Sequence, residues 1–460
     1  MSAPRDDLAA FVHETGVHDL PAPVVEQTRR CVADLVGTAA AGARTRLSHV
    51  VRDHAHRHQG GPQACSGLWF DGRVAAPAGA ALANAATIDA MDAHDGHRLA
   101  KGHAGAAVLP GVVAFSAPDS DVGELLAATA VGYEVALRAG LGLHALAGEH
   151  HSSGAWNALG VAAVGARALG LGAEATEHAL GIAEYHGPRG PMMRCIDHPT
   201  MVKDSSAPGA QAGAQAALLA KDGFTGAPAQ VLSGTGSQLG RHWHLLEQYF
   251  KPHPVCRWAQ PAVSAVLGLV AEHGFRADDV VEVQVGTFHE AVRLDARDPS
   301  TTEQAQYSLP FPVALGLVHG YVPPEAVADP SSADSRVHEI AAGMRVVESA
   351  PMSACFPGQR WADATVDLAD GRRLASGPVT APGDPEDALS ESDLRTKFHT
   401  LAEPTLGRER TLALRGLLDL PCGAPAAPLL GALTQAPPPL PRPGAEVGHA
   451  PESNSENGDG

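Results

Sequence analysis

From Pro21 to Gly42 the chain reads PAPVVEQTRRCVADLVGTAAAG, and Val24, Val25, Cys31, Val32, Leu35 and Val36 recur at the spacing of one helix face. Prolines at the start and Gly42 at the end punctuate that helix. Asp121-x-x-Glu124 has the form of a capping box ahead of LLAATAVGYEVALRAGLGLHAL, which predicts a second helix of apolar and small residues. Further small-residue helices are expected over about 154–169, 174–184 and 207–222. After about residue 263 the pattern changes. VVEVQVGTF (280–288) alternates and is rich in β-branched residues, as a strand is; MRVVES (344–349) is a second strand; WADATVDLADGRRLASGPV (361–379) predicts a hairpin turning at Asp370-Gly371. Helical stretches at 261–273 and 311–319 alternate with these strands, and 390–418 returns to a helical pattern.

The expected fold is therefore mainly α with a second, smaller α/β domain. Residues 1–262 form the helical domain, completed by 400–434, and residues 263–399 form the α/β domain. The segment 435–460, Pro-rich and then polar and acidic, has little to bury and is expected to be disordered.

Composition sharpens this picture. Aromatic residues are only 4% while Gly numbers 50, so helices are expected to pack closely through small side chains. A formal charge of −18 argues against nucleic-acid or anionic-membrane partners, and leaves a small anionic substrate open because a cleft can oppose the global sign. The six cysteines form no C-x-x-C pair, the N-terminal stretch has no apolar signal-like core, and no apolar run reaches membrane-spanning length; a reduced, cytoplasmic protein is expected.

The chemistry concentrates in DAMDAHDGHRLAKGHAG (89–105), which holds Asp89, Asp92, His94, Asp95, His97 and His103. Three readings compete. A metal site has His and Asp at i, i+3, but Gly96 interrupts any helix that would present them together. A solvated loop is the plain alternative, opposed by the apolar, small-residue flanks on both sides. Metal-free acid–base chemistry needs a base near neutrality, an acid, and a fixed cation for substrate charge. Two other loops supply such groups: GEHHSSGAWNALG with His150 and His151, and HGPRGPMMRCIDHPTMVKDSS with Arg189, Arg194, His198 and Lys203.

These segments carry a resemblance. CVADLVGTAAAG, MDAHDGHRLAKGHAGAAVLP, HHSSGAWNALG, MVKDSSAPGAQAGAQAALLAKDGFTG, KPHPVCRWAQP and AQYSLPFPVALGLVHG occur in the order of the MmgE/PrpD family, and the chain resembles that family over about residues 20–425. The resemblance implies a large helical and a smaller α/β domain, a homodimer, a site between the domains, and no metal or organic cofactor. It implies a lyase or isomerase that dehydrates, decarboxylates or epimerises a small carboxylate by proton transfer. Carried over by position, the catalytic set is Asp92, His103, His151 and Lys203, with Arg194, His97, Ser153, His198 and Gln260 as substrate-binding candidates. His151 or His103 would move the carbon-bound proton, Asp92 would hold an imidazole in its working tautomer, and Lys203 with Arg194 would pair a substrate carboxylate.

Three departures stand out. The family's Asp-Phe-Asp-Asp-Thr is Asp92-Ala93-His94-Asp95-Gly96 here, its G-F-H-x-T threonine is Ser153, and a family histidine is Gln260, which cannot shuttle a proton. His198, His97 or His94 would replace the missing group, or the reaction needs only one proton-transfer residue. A silent carboxylate-binding homologue and a metal-dependent hydrolase remain as alternatives.

Overall fold

A computed structural model of the protein describes residues 7–62, 65–234 and 238–438. The helices Ala22–Gly42, Pro77–Asp89, Gly105–Phe115, Val122–Leu146, Gly154–Ala168, Ala173–His186 and Ser206–Lys221 form the first architecture. They share an apolar core that runs from Phe11 to Phe250 and closes with Phe398, Leu406, Leu414 and Leu429 from the C-terminal helices. Small residues set the helix spacing. At Gly213 a Cβ would stand 2.2 Å from the Ala158 carbonyl oxygen, so the helices Gly154–Ala168 and Ser206–Lys221 touch backbone to backbone. Asp121 caps its helix by accepting from the Glu124 N–H (2.7 Å), but Glu124 turns its own carboxylate to Arg167 (2.7 Å) instead of reaching back to the cap.

The second core is built from Val255 to Leu368. Its sheet has four strands in the order Arg345–Glu348, Val280–Thr287, Ala362–Leu368, Arg373–Ala375. The first pair is parallel and the other two are antiparallel. The hairpin turns at Asp370-Gly371, where Gly371 has φ 88°. The helices Gln260–His273 and Ser335–Gly343 pack on the sheet, and Pro310–His319 packs on both of them. The fold is thus mainly helical with a smaller α/β part. Met91, Met192 and Ile196 reach out of the helical part into this second core, so the seam between the two is apolar as well as polar.

The C-terminal helical stretch divides into Glu391–Leu406 and Arg408–Leu418 at Gly407, whose φ of 77° no helix continues. Glu391–Leu406 packs on Ala22–Gly42 and sends Lys397 to Asp34. The expected disorder of the tail concerns residues that, from 439 on, lie outside those described. Among the described residues no helix is long and apolar enough to cross a membrane.

Candidate active site

The segment 89–105 links two buried helices, and its first part is itself buried: Asp89, Asp92, His94, Asp95 and His97 are all within the interior, while Leu99 is exposed and His103 half-buried. The solvated-loop reading does not survive. A short antiparallel ribbon pins the segment, Gly96 opposite Tyr249 and His97 opposite Gln248. Gly96, which stands where the family has threonine, is required by close packing. A Cβ there would fall 2.5 Å from the Tyr249 hydroxyl and 2.8 Å from His103 Nδ1.

Two histidines of the segment, His103 and His97, meet different fates. His103 Nδ1–H donates to the Asp95 carbonyl (2.6 Å), which leaves Nε2 unprotonated in the neutral ring. Burial, then the neighbouring His94 and Lys251, hold its pKa well below the ordinary value, so the ring is a neutral base at pH 7. His94 stacks edge-on against it, ring centres 4.3 Å apart. Ser153 fixes the backbone here, its Oγ accepting from the His103 N–H (2.8 Å) and donating to Asp204.

Asp92 is the electrostatic centre. Burial pushes its carboxyl up, but the ammonium groups of Lys251 and then Lys203 outweigh it and hold the group ionised. Lys251, fully buried, donates to Asp92 Oδ1. Lys203 donates to Gln306 Oε1 and lies 5.4 Å from the Tyr307 ring centre; Gln306 is tied to the Ala90 carbonyl (2.8 Å). Lys101, Lys203 and Ser205 all have left-handed backbone (φ 58°, 47° and 58°), conformations that cost non-glycine residues about 1–3 kcal/mol each and cluster at functional sites. Asp204 is raised to about 8 by burial and by Asp89, against the two bonds from Ser153. It is a protonated acid at neutral pH.

Asp92, His103, His150, Asp204, Tyr249, Tyr307 and Arg360 line one cavity at the seam of the two cores. A second hollow of about 260 Å³ beside it is lined by Arg194, His198 and Lys203.

The nine expected site residues therefore divide. Asp92, His103, Lys203 and Ser153 are brought together. Arg194 and His198 lie on the exposed second hollow, reached by Lys203. His151 does not line the cavity: it bridges to Pro191, and its Nδ1–H goes to the Glu149 carbonyl (3.0 Å). Its neighbour His150 faces the cavity instead, donating from Nε2 to the Lys101 carbonyl (2.8 Å), with its pKa pushed down to about 3 by burial. His97 turns away: Nδ1 accepts from the Ala100 N–H (3.0 Å) and Nε2–H donates to Glu247 (2.9 Å). Gln260 spends its amide on the 253–255 turn, donating to the His253 and Val255 carbonyls (2.8 and 2.9 Å) and accepting from the His253 N–H (3.3 Å). It holds a loop rather than facing the cavity.

Residues the sequence reading passed over are Lys251, Asp204, Tyr249, Tyr307 and Arg360. Lys251 opens KPHPVCRW, and Asp204 follows Lys203 directly; each was in view and carried no spacing signal. Arg360 lies in an irregular stretch with no pattern at all.

Among the described residues two groups of donor side chains stand close enough to share an ion: Asp92, His94 and His103, and His97, His244 and Glu247. Neither suits a metal. In the first, the Lys251 ammonium already sits on Asp92. In the second, the Ala100 N–H on Nδ1 of His97 forces the proton onto Nε2, the nitrogen that would have to ligate.

A mainly helical protein with a smaller α/β part, and with carboxylate, imidazole and ammonium groups buried together where they meet, is the class this fold and site define. The chain belongs to the MmgE/PrpD family. Residues 6–241 match the MmgE/PrpD N-terminal domain and residues 253–419 the MmgE/PrpD C-terminal domain. It is similar to the cis-aconitate decarboxylases of Mus musculus (24% identity, 89% of this chain and 88% of that protein) and Homo sapiens (24%, 87% and 88%). A cis-aconitate decarboxylase-like protein of Aspergillus oryzae is 25% identical over 48% of this chain and 47% of its own length.

Proposed function

We propose that the protein is a lyase, or failing that an isomerase, that acts on a small carboxylate by moving a proton at the carbon beside a carboxylate group, using only its own side chains. The observation that carries this reading is the His103 imidazole, neutral and with Nε2 bare, set in one buried cluster with Asp92, Lys203 and Lys251. The names of the relatives favour decarboxylation among the reactions open to such a site.

In this reading the two ammonium groups hold the carboxylate that stays on the substrate and stabilise the negative charge that spreads onto it as the neighbouring bond breaks. In decarboxylation the electrons of the C–C bond remain on carbon, carbon dioxide leaves, and a proton is then delivered to that carbon. In dehydration or epimerisation His103 Nε2 removes the proton first. Asp204, protonated at neutral pH, is the matching acid, which makes a histidine at position 260 unnecessary. Asp92 holds the Lys251 ammonium in place.

The test is proton NMR in D₂O on a panel of di- and tricarboxylates, cis-aconitate among them, with wild type, His103→Gln and Lys203→Met. Loss of carbon dioxide or water, or deuterium at an α-carbon, that disappears in both variants supports the reading. Turnover that persists in both variants contradicts it.

A further inference from the structure

Among the described residues Arg360 is the arginine with two buried guanidinium nitrogens that lack a hydrogen-bond partner. Its side chain is only 7% exposed, and among the described residues its Nε and Nη1 have no hydrogen-bond acceptor. It belongs to the α/β part, just before the strand Ala362–Leu368, and lines the seam cavity opposite residues of the helical part. Its neighbour Arg257 shows the contrast. Arg257 donates to the Pro382 and Ala381 carbonyls (2.8 and 2.9 Å) and to Asp384 (2.8 Å), so it is fully engaged in structure. Both guanidinium groups lie over the Tyr249 ring, Arg257 at 5.0 Å and Arg360 at 5.5 Å from its centre. A ring face replaces part of the hydration of a cation but offers Nε–H and Nη1–H no lone pair.

A buried cation without hydrogen-bond acceptors is unfavourable, and burial and the neighbouring Arg257 work against its charge, offset only in part by Tyr249 and Asp384. A planar fork of N–H groups aimed into a cavity matches a carboxylate in two parallel bonds. The position fits as well. The Tyr249 ring centre is 6.4 Å from that of His103 and 5.5 Å from Arg360 Cζ, so the guanidinium and the proton-transfer group both neighbour one ring on the wall of the same cavity.

We infer that Arg360 is a specificity-determining residue that binds a second substrate carboxylate, the one distant from the reacting carbon. This rests on the carboxylate reading of the Lys203–Lys251 end of the same site. It implies that simple monocarboxylates are poor ligands, and that the distal carboxylate ties the α/β part to the helical part when substrate is bound.

The probes are tricarballylate, succinate and butyrate, titrated calorimetrically into the full-length wild type, Arg360→Met, Arg360→Lys and Lys203→Met, with melting temperatures recorded without ligand. Wild type is expected to prefer tricarballylate and succinate over butyrate. Arg360→Met is expected to lose that preference through a roughly 10–100-fold weakening for the polycarboxylates, the range of a charge-assisted bidentate contact. Its unliganded melting temperature should equal or exceed that of wild type, because an unpaired buried charge has been removed. Arg360→Lys keeps the charge without the fork and is expected to be weakened several-fold; it carries the test alone if Arg360→Met does not fold. Undiminished preference in Arg360→Met, or unchanged binding in Arg360→Lys when that variant carries the test, overturns the inference. So does an Arg360→Met that folds but melts well below wild type without ligand, which would mark a structural role. If Lys203→Met abolishes binding while Arg360→Met keeps the preference, only Arg360 is misassigned. If wild type binds none of the three probes, the carboxylate reading of the site falls and the inference with it.

Discussion

The same short segment contributes to two histidine clusters, and only one is equipped for proton transfer. His103 gives its Nδ1 proton to a carbonyl and keeps Nε2 bare beside Asp92 and His94. His97 receives a backbone N–H at Nδ1 and gives its Nε2 proton to Glu247, which His242 and His244 also contact at 2.8 and 3.3 Å. Both clusters are rich in imidazole and carboxylate. What separates them is the partner of the second ring nitrogen and the presence of two buried ammonium groups on one side only. Histidine density in a sequence marks a place to look; the tautomer decides what the place can do.

The comparison breaks most sharply at His103. His103→Gln can still donate to the Asp95 carbonyl but offers no base, so turnover should fall by about 10²–10⁴, while His97→Gln should leave turnover within a few-fold; steady-state kinetics of the two variants side by side decides. Next comes Lys251→Met, which strands the Asp92 carboxylate in the interior and should destabilise the fold by about 3–5 kcal/mol, read by denaturant unfolding. Asp92→Asn combined with Lys251→Met should recover much of that stability and none of the activity.

Asp204 gives a smaller effect that depends on pH. Its folded pKa is raised to about 8, above the unfolded carboxyl value near 3.8, so the folded state holds the proton more tightly. Stability from this group is full below the unfolded value and is lost as pH rises toward 8. Asp204→Asn should flatten the fall of melting temperature between pH 5 and 8. The smallest effect belongs to the other cluster. Glu247 is lowered to about 2, by the His97 bond first and by His244, so its contribution is present above pH 4.5 and lost as pH falls through about 2. The carboxylate is part-exposed, and Glu247→Gln should cost no more than about 1 kcal/mol at neutral pH.

Much of the fold is legible in the sequence because it rests on local pattern. The helix at Ala22–Gly42, the strand at Val280–Thr287 and the turn at Asp370-Gly371 follow from apolar spacing and turn chemistry. The break at Gly407 was missed because apolar residues keep their period on both sides of it. The site is legible only in part. Asp92 and His103 stand out by their density, but Lys251 is 159 residues from the Asp92 it pairs with, and Gln306 is 103 residues from Lys203. Nothing local reports such pairs. Adjacent residues are equally hard to separate: His150 and His151 share every sequence feature, and the bridge from His151 to Pro191 settles which ring faces the cavity. Gln260 misled because a lost histidine invites a chemical explanation, whereas the amide here serves a turn that needs two donors and an acceptor.

The central claim is that His103 presents a bare Nε2 while His97 cannot. Protein labelled with ¹⁵N in histidine side chains, with resonances assigned by the His103→Gln and His97→Gln variants, reports both tautomers directly by long-range ¹H–¹⁵N NMR. The account predicts that His103 is neutral at neutral pH with its proton on Nδ1, and that His97 carries its proton on Nε2. A His103 ring that is protonated on Nε2, or that titrates in the ordinary histidine range, would contradict it.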